Sequence, residues 1–322
     1  MRDYAAPDTF LNRPPMPNPN IDVVSIGNIL KETIVYPGES IGPVLGSPCA
    51  YTSLVMAKLG LKAGIVSYYG KNLGEDLLNE LRLVDKAGLI DYLYATENHL
   101  IYREDGSKGL EYYKTAPVIQ FHSIPEEYMD ARLYFVCPMN YEVSLDLCFS
   151  LQKHKKTIMI DLGGYGGTTT YNHFAIDTPR GMHYLESLCR AANIVKVSRE
   201  DLSHIIPGRS LEEASRIILD LGAEIAVIPM GEDGAAYLVA GGGLEHVEAF
   251  TPRGDPAGYN AVGAGDAFAG GFICNYIKTG EVHSSVVYGN AVASLVMEKP
   301  GACVESRMPG SDMADLRKDR VV

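Results

Sequence analysis

Short β-branched and apolar runs at 21–26, 63–68, 133–137, 157–161, 194–197 and 225–230 alternate with longer stretches of helical periodicity. Those stretches lie at 50–59, 75–86, 144–154, 181–191, 211–221 and 267–278. Continuously apolar runs of this length read as strands buried on both faces, and their alternation with helices predicts βαβ units. Parallel neighbours must be joined by crossovers, which lay helices over the sheet. The expected fold class is therefore α/β, a doubly wound, mostly parallel sheet with helices on both faces. No period of the solenoid or propeller kind interrupts the pattern.

Two segments break the rhythm. Residues 33–44 are punctuated by Pro and Gly, and 93–122 break into hairpin-like pieces with turns at Asp105-Gly106 and Lys108-Gly109. With no helix between them, they read as a small β-sheet lid inserted in the main domain, the alternative being long surface loops. The expected organisation is a polar, proline-rich extension over 1–20 followed by one domain over 21–322. With 46% hydrophobic residues the chain can bury a large core.

Charge and composition remove several function classes. A formal charge of −12 disfavours nucleic acid and anionic membranes as partners. No apolar run approaches the roughly 18 residues of a membrane span. The six cysteines form no C-x-x-C pair and fit a reducing, cytoplasmic setting, and the eight histidines show no metal-ligand spacing. A polyanionic substrate would have to be met locally, by backbone amides, helix N-termini and a few cations.

The segment best suited to that task is N-A-V-G-A-G-D-A-F-A-G-G at 260–271. Gly263 and Gly265 permit backbone conformations closed to other residues, and a helix begins directly after them. Unpaired N–H groups around Gly263, Ala264, Gly265 and Asp266 would then form an anion site. A carboxylate there repels an anion, so Asp266 makes more sense as a base that takes the proton of an attacking hydroxyl. The plainer reading of Asp266 is a first-turn acid favoured by the helix dipole.

The same segment resembles the C-terminal signature of the ribokinase-like (PfkB) carbohydrate kinases, D-T-x-G-A-G-D-x-F-x-G-G, and the likeness runs from about 21 to 308. Gly27 after the first strand, the turn at Gly46, the element from Gly70 to Gly74, V-I-P-M-G-E-D-G at 227–234 and the stretch 290–302 are similar to family elements in the same order. The resemblance implies a substrate-covering β lid, Mg2+ and ATP, with Asp266 as base and the amides of Ala264 and Gly265 in the anion hole. It puts Ser198, Gly231, Gly234, Asn290 and Gly301 along the nucleotide. It puts Asn28, Glu32, Gly46, Ser47 and Tyr51 with Asp266 around the phosphate acceptor, and Asp201 or Glu200 near the magnesium.

The departures from the pattern bear on substrate and metal. Glu32 stands where Asp is common; Gly46-Ser47-Pro48 replaces a Gly-Gly turn and Tyr51 a small amide; Asn72 replaces Asp. Ser198 and Asp201 align with the Asn and Glu of an N-x-x-E motif. Asn260-Ala261 replaces D-T in a region that helps relatives hold a monovalent cation, so potassium activation is in doubt. D-L-G-G-Y-G-G at 161–167 lacks a phosphate-facing arginine.

The expected activity is ATP-dependent phosphorylation of a hydroxyl on a sugar or sugar-like polyol. The alternatives are a nucleoside kinase and a non-catalytic nucleotide- or sugar-binding protein. A dehydrogenase built on the glycines at 163–167 is disfavoured by the absence of a following helix and ribose-binding acid. The expected partner is a small molecule, with a homodimer through the lid as an added expectation.

Overall fold

The computed structural model describes residues 20–104, 108–168, 170, 176–255 and 258–319. Residues 1–19 of the extension expected over 1–20, and the turn at Asp105-Gly106, lie outside these residues.

The strands in chain order are β1 (Val23–Ile26), β2 (Leu30–Tyr36), β3 (Glu39–Gly46), β4 (Ala63–Tyr69), β5 (Asp85–Asp91), β6 (Thr96–Tyr102) and β7 (Lys108–Lys114). They continue with β8 (Leu133–Val136), β9 (Ile158–Asp161), β10 (Ile194–Lys196), β11 (Ile225–Pro229), β12 (Ala235–Val239) and β13 (Leu244–Val247). The helices are α1 (Pro48–Lys58), α2 (Glu75–Asn79), α3 (Leu145–Lys153), α4 (Pro179–Ala191), α5 (Arg199–Ile205), α6 (Leu211–Asp220), α7 (Ala264–Thr279), α8 (Val282–Met297) and α9 (Ser311–Lys318).

Nine strands form one sheet in the order β13-β12-β11-β10-β9-β8-β1-β4-β5. All neighbours from β11 to β5 are parallel, and β12 and β13 add an antiparallel edge. Alternate residues of β1 point to opposite sides. Val23 joins a cluster built with α1, α7 and α8, while Val24 and Ile26 join one built with α3, α4 and α6. The sheet is thus buried on both faces, and its strands read as unbroken apolar runs.

Caps explain where several helices begin. Ser144 and Thr178 accept from Leu147 and Gly181 N–H, Pro179 fits the first turn of α4, and Ser210 with Glu213 makes a capping box on α6. Ser47 caps α1 by accepting from Ala50 N–H at 3.1 Å, at a φ of 101° that few non-glycine residues adopt.

The second sheet, β3-β2-β6-β7, is made by the two segments that broke the sequence rhythm. β2 and β6 run parallel at its centre, with Glu32 opposite Asn98, and each pairs antiparallel with its own hairpin partner.

The structure differs from the sequence expectation at three elements, and agrees with it that the glycines at 163–167 form no dinucleotide turn. The helix expected over 75–86 stops at Asn79, because the chain from Asp85 is taken into β5 beside β4, with Val66 opposite Gly88. The hairpin β12–β13 escaped detection although Ala-Gly-Gly-Gly at 240–243 is a turn signal; β13 is only four residues long, with Glu245 and His246 exposed. The sequence of α8, rich in Val and Ser around Gly289, has poor helix propensity, yet it forms between α7, α9 and the sheet. The glycines of D-L-G-G-Y-G-G are close-approach positions: a Cβ on Gly164 would lie 2.0 Å from the Pro138 carbonyl oxygen, and one on Gly167 would lie 2.4 Å from Asp201 Oδ1. They make no dinucleotide turn.

Gly88 tests the β4–β5 pairing. A Cβ there would lie 2.3 Å from the Ile65 carbonyl oxygen. Gly88→Ala should destabilise the protein by about 1–3 kcal/mol, read as a lowered urea midpoint with unchanged m-value. An unchanged midpoint would mean that β5 does not pack as described.

Candidate active site

In sequence order the strands of the main sheet run outward from β1 through β4 to β5. They then restart beside β1 at β8 and run outward the other way. Crevices form at the carboxyl ends of strands where the order reverses in this manner. A cavity of about 850 Å³ opens there. Its walls take Pro138 and Met139 after β8, Asp161 at the end of β9, Lys196 and Ser198 around the end of β10, Pro229 and Gly231 around the end of β11, and residues 261–266. Glu32, Leu100 and Tyr102 from the small sheet close another side.

The start of α7 forms the floor. Gly263 has φ 72° and lies so close to Tyr51 that a Cβ would come within 2.3 Å of the ring, so only glycine fits. Ala264 N–H donates to the Ala261 carbonyl at 3.1 Å, whereas among the described residues no backbone carbonyl accepts from Gly265 or Asp266 N–H. Of the N–H groups expected from sequence to stay open around Gly263–Asp266, that of Ala264 is therefore taken, while those of Gly265 and Asp266 are not. Packing on α1 fixes this turn: Thr52 Oγ1 donates to the Asp266 carbonyl at 3.3 Å, and Gly270 sits against Val55 with no room for a Cβ.

The Asp266 carboxyl is part of a buried charge cluster. Lys196 Nζ lies 2.7 Å from Asp161 Oδ2, and both side chains are only 6% exposed. Burial pushes the Asp266 carboxyl up to about 7; Lys196 works against this, and Asp161 and Asp201 add to it. Burial pulls the Lys196 ammonium down, but Asp161, Asp266 and Asp201 outweigh it and the net displacement is upward. Lys196 therefore stays charged beside the start of α7, where a Cβ placed on Gly265 would lie 4.0 Å from its Nζ. The sequence reading overlooked it because Lys196 sits inside the apolar run I-V-K-V. A lysine at the carboxyl end of a fully buried strand was the signal.

Asp201 is held from three sides. Its Oδ1 accepts from Thr168 N–H (2.8 Å) and Oγ1 (2.9 Å), and its Oδ2 from Ser198 Oγ (2.6 Å). Ser198 and Asp201 therefore form one hydrogen-bonded unit that caps α5, with Glu200 beside them on the cavity wall. Among the described residues no three His, Cys, Asp or Glu side chains cluster as a metal cage. Magnesium keeps several waters and takes much of its shell from substrate phosphates, so one or two carboxylates at the rim suit it.

Glu32 supplies the polar group on the small-sheet side. Burial pushes its carboxyl up to about 7, the Asn98 amide works against the shift and the Asp266 charge adds to it. Asn98 went unnoticed in the sequence. It is fully buried across the strand pair from Glu32, and neither of its amide atoms makes a well-aligned hydrogen bond. Gly46 leaves room for Glu32, whose Oε2 would be 2.9 Å from a Cβ there.

The far end of the cavity is lined by Ala249, Phe250, Thr251, Pro252, Tyr259 and Met297, none of which the sequence singled out. Their strip is short, irregular and without motif. Of the residues expected at the site, Glu32, Ser47, Tyr51, Ser198, Glu200, Asp201, Gly231 and Gly263–Asp266 come together on the cavity wall. Five do not line it. Asn28 bridges Tyr68 N–H and the Pro117 carbonyl, and Asn290 donates to the Val247 and Glu248 carbonyls. Gly234 is a close approach to the Val247 carbonyl. Gly46 packs on Glu32 as described, and Gly301 offers its carbonyl to Asn260. Asn72 is likewise structural: it accepts from Ala95 N–H at 2.7 Å and donates to the Ala95 carbonyl at 3.1 Å, a pairing that Asp could not complete.

A sequence profile described as pfkB family carbohydrate kinase matches residues 167–308. The chain is 27% identical to a cytidine kinase of Thermococcus kodakarensis, the match covering 87% of this chain and 98% of that protein. It is 27% identical to an ATP-dependent 6-phosphofructokinase of Thermoanaerobacterium thermosaccharolyticum, over 93% of this chain and 95% of that protein. Its fold is similar to that of a putative ribokinase II from E. coli in complex with ATP and magnesium, with a TM-score of 0.72 and 19% identity over 93% of this chain and 99% of that one.

The displaced carboxyls make stability depend on pH. In the unfolded chain Asp266 and Glu32 lose their protons near 4, but in the folded chain only near 7. Between those values the folded state binds more protons, so stability falls as pH rises across the window. Asp266→Asn removes one of the two contributions. The loss of unfolding free energy from about pH 5 to about pH 8 should be smaller in the variant, measured by urea denaturation at both pH values. Equal losses would show that Asp266 titrates normally.

Proposed function

We propose that this chain is a member of the pfkB family of carbohydrate kinases and that it transfers the γ-phosphoryl group of ATP to a hydroxyl of a sugar or sugar-like polyol, with Asp266 as the catalytic base. The observation that carries this reading is the Asp266 carboxyl, tuned to about 7, beside the open amides of Gly265 and Asp266 at the head of α7. A base is most effective when its pKa lies near the working pH.

In the proposed reaction the acceptor hydroxyl lies between Glu32 and Asp266. Asp266 takes its proton as the new O–P bond forms and the bond from the γ-phosphorus to the bridging oxygen breaks, releasing ADP. Charge developing on the transferred group falls beside the helix N-terminus and Lys196, which makes up for the arginine absent from D-L-G-G. Magnesium, when bound with ATP, would neutralise the phosphates, with Glu200 and Asp201 holding its waters. Gly231 and the strip from Ala249 to Pro252, with Tyr259 and Met297, suit the nucleotide end; Glu32 and Asn98 suit acceptor hydroxyls.

In this reading the domain spans 21–322 and the small sheet is its lid, covering the acceptor and excluding water. The exposed side chains of Ile41 and Tyr113 on its edge strands support pairing of two copies through the lid. A nucleoside acceptor is the second reading, favoured by the likeness to a cytidine kinase along nearly that protein's whole length.

A coupled ADP-release assay over pentoses, hexoses, inositols, sugar phosphates and nucleosides separates the two. Asp266→Asn should lower kcat with the best acceptor by about 10²–10⁴-fold while ATP binding measured by calorimetry is retained; an active Asn variant would remove Asp266 from the role. In the wild type, kcat/KM should rise with pH and level off above about 7. Lys196→Met should lower kcat more than it weakens ATP binding, and a loss confined to binding would assign Lys196 to the ground state only.

A further inference from the structure

Arg307, in the short turn Glu305–Arg307 after α8, is only 1% exposed. Five main-chain carbonyls accept from its guanidinium, and the Tyr51 hydroxyl lies beside it. Nε lies 3.1 Å from the Val296 oxygen and 3.1 Å from that of Lys299. Nη1 lies 2.7 Å from Val262 O and 3.5 Å from Ala302 O, and Nη2 lies 2.7 Å from Asn260 O. Asn260 Nδ2 donates to one more carbonyl of the group, Gly301 O, at 2.7 Å, while its Oδ1 accepts from Val262 N–H.

These carbonyls come from two places that matter to the site. Val296 lies in the last turn of α8 and Lys299 just past its end, where carbonyls lack α-helical partners and sit at the negative end of the dipole. Asn260 and Val262 belong to the turn entering α7. Val262 O, held by Arg307, takes no bond from Asp266 N–H four residues on, and that amide stays open toward the cavity.

Carbonyl oxygens converging on one point are the donor set by which proteins replace the hydration shell of a monovalent cation. Here the lone pairs are already taken by N–H groups fixed to the chain, and the positive charge is covalently present. The residues therefore do not fit a bound potassium ion. We propose that Arg307 is a built-in cation that positions the 260–262 turn, and through it the anion-binding start of α7, so that turnover requires no monovalent metal ion. Arg307 acts as a positioning residue: it lies behind the turn, among backbone carbonyls. The proposal rests on the kinase reading for its activity arm only.

The test compares wild type, Arg307→Ala and Arg307→Lys in potassium chloride, guanidinium chloride and tetramethylammonium chloride at equal low ionic strength. Thermal melting and ADP release with the best acceptor of the panel are read for each. The wild type should melt and turn over equally in potassium and tetramethylammonium salts. Arg307→Ala should lose about 10²-fold in turnover, as expected when a catalytic group is displaced by about 1 Å. It should regain both melting temperature and rate with potassium or guanidinium but not with tetramethylammonium. Arg307→Lys, which keeps the charge but cannot reach all the carbonyls, should fall between, and it carries the test if the alanine variant does not fold. Wild-type activation or stabilisation by potassium overturns the proposal, as does an alanine variant equally impaired in every salt. If no acceptor gives ADP, the kinase reading fails alone, because melting still decides the cation question.

Discussion

The first turn of α7 is where the demands of this structure converge. Its Gly265 and Asp266 amides are unpaired among the described backbone groups, and unpaired donors inside a protein are unfavourable unless something ordered faces them. The chain meets this by holding the turn from below and behind. Tyr51 presses on Gly263 where any side chain would collide, Thr52 ties the Asp266 carbonyl to α1, and Arg307 draws the Asn260 and Val262 carbonyls away from the cavity. Each contact comes from an element distant in sequence. The rest of the α-layer packed on this face of the sheet serves to bring them there.

Electrostatics around the turn follow from the same burial. A chain of charge −12 places three aspartates, Asp161, Asp201 and Asp266, within mutual influence and sets one buried lysine among them. Lys196 pairs with Asp161, Thr168 and Ser198 engage Asp201, and Asp266 is left with a carboxyl near neutrality. Glu32 across the cavity shows the same upward displacement for the same leading cause, burial, and so the two sides that would flank an acceptor hydroxyl are alike in charge state.

Much of this was legible in residue order because the signals were local. The buried strands announced themselves as apolar runs, the helices as stretches of helical period, and the turn before α7 as glycines ahead of an apolar helix. What escaped did so because its pattern was tertiary. The helical period expected over 75–86 ran into Asp85 and Lys86, which join β5 beside β4; α8, of poor helix propensity, forms by packing against α7. Lys196 hid inside an apolar strand, and Asn98 had meaning only once β2 and β6 were paired. Asn28, Asn290 and Asn72 sat at family-like positions but were spent on backbone carbonyls and amides, a distinction that side-chain type alone does not carry.

The sequence by itself determined the doubly wound sheet, the inserted small sheet and the glycine turn with its aspartate. These depend on periodicity, on backbone permissiveness and on residues adjacent in the chain. The tertiary structure decided which amides of the turn stand open, which residues reach the cavity and how its charges are balanced. Those outcomes depend on where a carbonyl 45 residues from Arg307 points, and on how much water is left around each carboxylate. Burial and long-range hydrogen bonds exist only after folding, and at this site they set the chemistry.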